Sequence, residues 1–329
     1  MLPPMDHDRL RAIVAGFEGR RIVVLGDVMV DEYLWGRATR ISPESPVMVV
    51  EVDRETQVPG GAANVAHNLL ALGARVSVVG AVGDDATGTR LRSMLEQEGA
   101  DASGLIVDHG RPTTRKTRVV AHSQQVLRLD RERCFAVAEP VRRAMVERLA
   151  AIVPLADAML VSDYDKGVVS GPVVSAAMDL ARSRGAVVAA NAKPPNVRLL
   201  AGATAVSLNQ PEAVAASGGD TRFEGDDGID EAGAELARSL AVETLVVTRG
   251  ARGLSLWTAA GAIHHLPAHP VEVYDVAGAG DTVISALTLG LCCGADVRDA
   301  AAVANRAGAC VVRRVGVAAT TREELLADW

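Results

Sequence analysis

Aromatic residues are scarce in this 329-residue chain, which holds three Trp, three Tyr and three Phe. That is too few for the stacking platforms on which single-stranded nucleic acids are held. Basic charge is not in excess either: 34 Lys and Arg stand against 41 Asp and Glu, a net charge of −7. No broad cationic field therefore exists to hold nucleic acid or an anionic membrane surface, and any anionic ligand must be held locally. Lysine occurs only at Lys116, Lys166 and Lys193, and no Gly-Lys pair occurs anywhere, which excludes a Walker-type phosphate loop. The four cysteines, Cys134, Cys292, Cys293 and Cys310, lack the paired spacing of a zinc site and read as reduced core thiols. No apolar run approaches the ~18 residues of a membrane span. Met1–Leu10 carries Asp6, Asp8 and two prolines in place of a basic start and an apolar stretch. These absences predict a cytoplasmic protein with neither a nucleic-acid nor a membrane partner.

What is present reads as a folded α/β chain. Apolar residues make up 49% and charged residues 23%, near the globular norm. At roughly 150 residues per domain, the length predicts two domains or one large α/β domain with an inserted piece. Arg21–Val30 is a β-branched run with Gly26-Asp27 near its end, the pattern of a buried parallel strand with polar groups at its carboxyl end. Helix and strand patterns then alternate, with helices over 61–72, 88–97, 173–184 and 230–240 and strands over 75–82, 158–162, 186–190, 204–208 and 244–248. Such alternation predicts a parallel sheet with helices on both faces. The last third reads as helical, over 282–293 and 299–312. Two segments leave this rhythm: 31–59, which holds a strand or two, and 113–130, a hairpin around His122-Ser123-Gln124. Together they predict a small accessory sheet.

The strongest local signal is the run Asp275 to Thr282 (DVAGAGDT), followed at once by an apolar helix. Gly278, Ala279 and Gly280 let backbone N–H groups converge on one point, and a helix N-terminus adds positive potential there. Asp281 in such an anion hole can accept a proton from a hydroxyl that attacks the γ-phosphorus of a nucleotide. A Gly-rich turn with Asp281 as a helix cap is the alternative. The run lacks the third glycine of a dinucleotide fingerprint. A second signal is Pro59 to Ala66 (PGGAANVA): Gly60 and Gly61 permit close approach to a ligand, and Asn64 can donate and accept toward vicinal hydroxyls. That suits a sugar, and a tight strand-to-helix connection fits equally well.

The two signatures, in this order and about 215 residues apart, resemble those of the ribokinase-like (PfkB) carbohydrate kinases over roughly residues 20–321. Ile41–Val47 (ISPESPV), the stretch Gln124-Gln125 to Arg128-Leu129-Asp130 and Ser162–Gly167 (SDYDKG) are most similar to the kinases that phosphorylate D-glycero-β-D-manno-heptose 7-phosphate at its anomeric hydroxyl. The resemblance implies a single three-layer ribokinase-like domain over 1–329, with a β lid built from about 31–59 and 108–130. It implies Mg²⁺ and ATP, a sugar phosphate acceptor and a homodimer through the lid. Many relatives carry a fused adenylyltransferase, and the kinase alone is expected here.

Carried over by motif, Asp281 is the base, and Asp27, Asp31, Gly60, Gly61 and Asn64 line the sugar pocket. Lys116, Arg118, Gln125 and Arg128 belong to the lid, where a cation meets a substrate phosphate, and Asp163 borders the site. On the nucleotide side the resemblance implies Lys193, Thr248, Arg249, Gly250, Gly253 and Asn305, and Asn209 with Glu212 as the N-x-x-E motif that organises Mg²⁺ through water. Two positions depart from the family pattern: Ala277, where Thr is common, and Asn191-Ala192-Lys193-Pro194, where Asp-Pro-Lys-Gly is common. Neutral Asn191 is expected to leave the Lys193 ammonium less compensated. Three alternatives stay open: a kinase of another sugar phosphate, a nucleoside kinase, and a non-catalytic sugar or nucleotide sensor.

Overall fold

The computed structural model describes residues 6–122 and 124–327. In chain order its strands are β1 (Arg21–Gly26), β2 (Val28–Ile41), β3 (Met48–Gly61), β4 (Arg75–Val82), β5 (Asp101–Val107), β6 (Arg115–Ala121) and β7 (Gln124–Arg131). They continue with β8 (Ala158–Ser162), β9 (Val187–Asn191), β10 (Ala205–Asn209), β11 (Thr244–Thr248), β12 (Leu254–Thr258) and β13 (Ile263–Leu266). Nine of these form one sheet in the order β13-β12-β11-β10-β9-β8-β1-β4-β5. It is parallel from β11 to β5, and at the other edge the β11–β12 and β12–β13 pairings are antiparallel.

Helices cover both faces because both faces are apolar. Val24, Val76 and Leu160 face the helices Ala62–Ala71, Ala279–Cys292 and Val297–Val311. Val23, Met159 and Val188 face Glu139–Ile152, Gly171–Arg184 and Ile229–Leu240. A sheet apolar on both sides has no other stable arrangement. The strand order reverses at the β8–β1 boundary, and in open α/β sheets ligands bind at the carboxyl ends beside such a reversal. Asp27 and Asp163, each directly after its strand, stand there.

The second sheet has the order β3-β2-β6-β7. It is the expected lid sheet, with different bounds. The run read as one strand over 21–30 belongs to both sheets: it breaks at Asp27, whose N–H still donates to Ser162 O (3.1 Å), and resumes at Val28 as a 14-residue lid strand. The lid therefore comprises 28–61 and 115–131. Ser123, in the turn expected at 122–124, lies outside the described residues. The last third is not wholly helical, because β12 and β13 form a hairpin there. Their short apolar stretches are flanked by Gly250, Gly253 and Gly261, which punctuate like loop residues.

Two helices fix the site. The first, Ala62–Ala71, starts at Gly61, whose φ of 55° lies in the left-handed region and where a Cβ would stand 2.5 Å from Asp27 O. The second, Ala279–Cys292, starts at Gly278, with φ 77°. The buried Ala62, Ala63 and Ala66 of the first helix are small enough for its backbone to approach the second, and their first turns meet.

Candidate active site

Where those first turns meet, Asp281 is buried and held at both oxygens. Asn64 Nδ2 donates to Oδ2 (2.7 Å) and the Tyr164 hydroxyl donates to Oδ1 (2.6 Å). Asn68 Nδ2 in turn donates to Asn64 Oδ1 (3.2 Å), and the Thr282 hydroxyl donates to Asn68 Oδ1 (2.7 Å). This chain of bonds leaves the carboxylate one orientation. Burial pushes the Asp281 carboxyl up to about 6, the Asp31 charge adds to that, and the Tyr164 and Asn64 donors and the Lys193 ammonium oppose it. Burial and the neighbouring Asp281 raise Tyr164 well above its usual value, so its hydroxyl stays a neutral donor.

Three cavities open on the run 277–281, one of them lined by Asp281 itself. The smallest, about 150 Å³, is polar and is bounded by Asp281, Gly278, Gly280, Lys193, Glu212 and Thr248, with Tyr164, Asn191 and Asn209 completing it. Here the Lys193 ammonium meets Glu212 Oε1 (2.5 Å) and sits 5.4 Å from the centre of the Tyr164 ring. On one side it shares Thr248 with a largely apolar cavity of about 420 Å³ that Gly253, Ala279, Val283 and Asn305 help to line. On the other side, across Ala277, is a cavity of about 510 Å³ beneath the lid, walled by Tyr33, Trp35, Arg54, Arg118 and Gln125. An apolar slot, a polar throat with a base and an ammonium, and a cation-bearing chamber are thus lined in turn by Ala279, by Gly278, Gly280 and Asp281, and by Ala277.

Several sequence candidates support this arrangement from behind. Asp27 was expected against sugar hydroxyls, yet its carboxylate accepts the N–H groups of Tyr164 (2.9 Å), Lys166 (3.0 Å) and Val168 (3.1 Å). It therefore shapes the loop that carries Tyr164. Asp163 accepts from the N–H groups of Asp165 (2.9 Å) and Lys193 (3.0 Å) and from Asn196 Nδ2 (3.1 Å), which fixes the loop that carries Lys193. Burial first, and then the Asp27 charge, push Asp163 up to about 6 against these donors. Asn64 directs both ends of its amide to Asp281 and Asn68, so it positions the base. Gly60 is required because a Cβ there would run into the Asp31 carboxylate.

The remaining candidates divide between the cavities and their surroundings. Asn209 and Glu212 make a capping box for the helix Gln210–Ala216, and Glu212 compensates the Lys193 ammonium that Asn191 was expected to leave less compensated. Arg249 is buried, but its guanidinium ties Gly225 O (2.9 Å) and Asp226 to Ser255 Oγ (3.2 Å); neither it nor Gly250 lines the three cavities. Asn305 lines the apolar cavity while donating to Pro267 O (2.7 Å). In the lid, Arg118 and Gln125 wall the chamber, and Arg118 Nη1 meets Asp31 Oδ1 (2.5 Å). Lys116 and Arg128 do not wall it: both are drawn to Asp130, at 3.4 Å and 2.9 Å. Tyr164, Asn68 and Arg54 were not singled out in the sequence. For Asn68 a signal existed, its i,i+4 spacing from Asn64 on one helix face.

The pfkB family carbohydrate kinase model matches residues 20–324. The chain belongs to that family. It is 43% identical over 308 residues to the Bifunctional protein HldE of Citrifermentans bemidjiense, covering 94% of this chain and 63% of that protein. It is 41% identical over 322 residues to the protein of the same name from Geobacter metallireducens, covering 98% of this chain and 65% of that protein. The chain thus spans less than two thirds of the length of these relatives. Among solved structures, phosphofructokinase-2 from Escherichia coli in complex with fructose-6-phosphate superposes with a TM-score of 0.75 at 18% identity, over 93% of this chain and 97% of that one. Arabidopsis thaliana ribokinase complexed with ribose and ATP gives 0.72 at 18% identity, over 95% and 99%. These two likenesses establish the ribokinase-like α/β fold.

Proposed function

We propose that this pfkB-family chain transfers the γ-phosphoryl group of ATP to the anomeric hydroxyl of D-glycero-D-manno-heptose 7-phosphate, giving the 1,7-bisphosphate and ADP, and does so in the cytoplasm. The observation that carries the reading is the buried carboxylate of Asp281, held by Asn64 and Tyr164 at a polar throat that adjoins an apolar slot and a cation-bearing chamber. The slot suits a purine, the throat suits phosphates and the chamber suits a phosphorylated sugar. As the acceptor oxygen bonds to the γ-phosphorus, its proton passes to the Asp281 carboxylate and the bond to the β,γ-bridging oxygen breaks. The Lys193 ammonium and the start of the helix Ala279–Cys292 stabilise charge on the group in transfer.

Magnesium fits this donor set as an ion held largely by water and phosphate. Both Glu212 oxygens already accept, from Lys193 Nζ and Asn209 N, and no cluster of three metal-ligating side chains occurs among the described residues. Glu212 and Asn209 would hold the ion through water, and it would supply neutralisation of the phosphate charge. The same reading includes a homodimer through the lid, supported by Leu127 and Leu129, 51% and 53% exposed on β7. The choice of a heptose rests on the resemblance of residues 41–47 and 124–130 to heptose phosphate kinases.

The test is a panel of heptose and hexose phosphates, free sugars and nucleosides incubated with Mg-ATP and followed by ³¹P NMR. A new anomeric phosphate signal on heptose 7-phosphate, appearing with ADP, is expected. Turnover of a free sugar or nucleoside with no turnover of any sugar phosphate would overturn the reading.

A further inference from the structure

The chamber beneath the lid, at about 510 Å³, has the size of a small-molecule site. Its charged walls are Asp53, Arg54, Arg118, His122 and Asp275, and three of these five are already answered. Arg118 is paired with Asp31. Asp53 is paired with Arg37 (3.3 Å). Asp275 accepts from the N–H groups of Ala277 and Gly316, both at 2.9 Å.

Arg54 and His122 are different. Arg54 stands opposite Trp35 across the β2–β3 ladder, and its guanidinium carbon lies 5.1 Å from the centre of the Trp35 ring. The ring holds the guanidinium plane without consuming its N–H edge. Among the described residues it has no carboxylate partner. His122 closes the β6–β7 turn with φ 51°, and its Nε2 donates to Ala38 O (3.2 Å). Among the described residues its other ring nitrogen, Nδ1, has no hydrogen-bond partner. Ala277, four residues before the base, lines the same chamber. The chamber thus joins an unpaired guanidinium to the run that carries the base.

We propose that Arg54 and His122 bind the phosphate that the acceptor already carries and so set the preference for a phosphorylated sugar. Planar N–H pairs on Arg54 match phosphate oxygens two at a time, and a phosphate dianion there places the far end of the sugar at the base. The assignment moves the recognition of the acceptor phosphate from Lys116 and Arg128, both drawn to Asp130, to β3 and the β6–β7 turn. It rests on the reading of the chain as a sugar phosphate kinase.

Steady-state kinetics on Arg54→Ala, His122→Ala and the pair, with heptose 7-phosphate and with ATP varied separately, test it. Each single variant is expected to raise KM for the sugar phosphate by about 10- to 150-fold, the loss of one charge-assisted contact, while KM for ATP and the melting temperature stay near wild type. Arg40→Ala, on the lid and paired with Glu51 at 2.9 Å, is the control for surface charge and is expected to leave both KM values in place. Arg54→Lys, which keeps charge but not the planar fork, is expected to recover only part of the loss. If both single variants keep a wild-type KM, or if Arg128→Ala raises it more than either, the assignment is overturned while the kinase reading stands. If the wild type uses no sugar phosphate at all, it is the kinase reading that fails.

Discussion

At position 281 one side chain must be buried, ionised and aimed at once, and the three demands conflict. Burial lifts its carboxyl to about 6. Because that lies above its ordinary value of 3.8, ionised Asp281 opposes folding above about pH 6, and the penalty is relieved as the pH falls from about 6 towards 3.8. A shift of that size corresponds to roughly 3 kcal/mol. Asp281→Asn keeps the shape, accepts from Asn64 through its carbonyl and donates to the Tyr164 oxygen through its amide. It should therefore melt no lower than the wild type at pH 8 while kcat falls by roughly 10² to 10⁴, as read by calorimetry and a coupled ADP assay. For the wild type, kcat/KM should fall about tenfold per pH unit below about pH 6; a flat profile down to pH 5 would remove Asp281 from the role of base. Asp281 and Asn64 stand out in the sequence because each lies in a run of small residues that opens a helix, but Asn64, expected against sugar hydroxyls, is turned to Asp281 and Asn68. Tyr164 was not, because nothing local says that its hydroxyl reaches a residue 117 positions away.

Elements were legible where one period rules them. The interior strands β4, β8 and β11 are short, predominantly apolar runs, and their bounds match the residues that carry the pattern. The edge hairpin β12–β13 was missed, since its five- and four-residue strands bury too little to leave a period above the glycines beside them. The lid bounds moved for a related reason: β3 continues through Pro59 to Gly61, where the sequence reads as a turn. That end of β3 is where a single methyl should matter most. A Cβ on Gly60 would meet the Asp31 carboxylate and stand 2.9 Å from its Cγ, and Asp31 holds Arg118 in the chamber wall. Gly60→Ala should cost about 1–3 kcal/mol of stability and raise KM for the acceptor at least tenfold, with KM for ATP unchanged. Equal loss on both substrates would mean that the junction acts on the whole site.

At the scale of the molecule the nine-stranded sheet is covered on both faces and the lid is not. One lid face walls the chamber with Tyr33, Trp35 and Arg118. On β7, register sets Leu127 and Leu129 opposite Val119 and Thr117, on the other face. Val126, Leu127 and Leu129, all on this edge strand, are each between 44% and 53% exposed. Scattered apolar residues are ordinary on a surface, but a contiguous row on a bare sheet is an association site. A second copy of the lid would cover it, and a stable interface needs about 800 Å² from each partner, within reach of a sheet with two 14-residue strands. The wild type is therefore expected to sediment as a dimer at micromolar concentration. Leu127→Glu with Leu129→Glu should give a monomer, because two carboxylates in a desolvated interface lose more than two leucines gain. The monomer should keep its ATP affinity and lose acceptor affinity, since only the lid half of the site loses its support. A wild type that sediments as a monomer, or a double variant that stays dimeric, would place the contact elsewhere and leave this face of the lid without a partner.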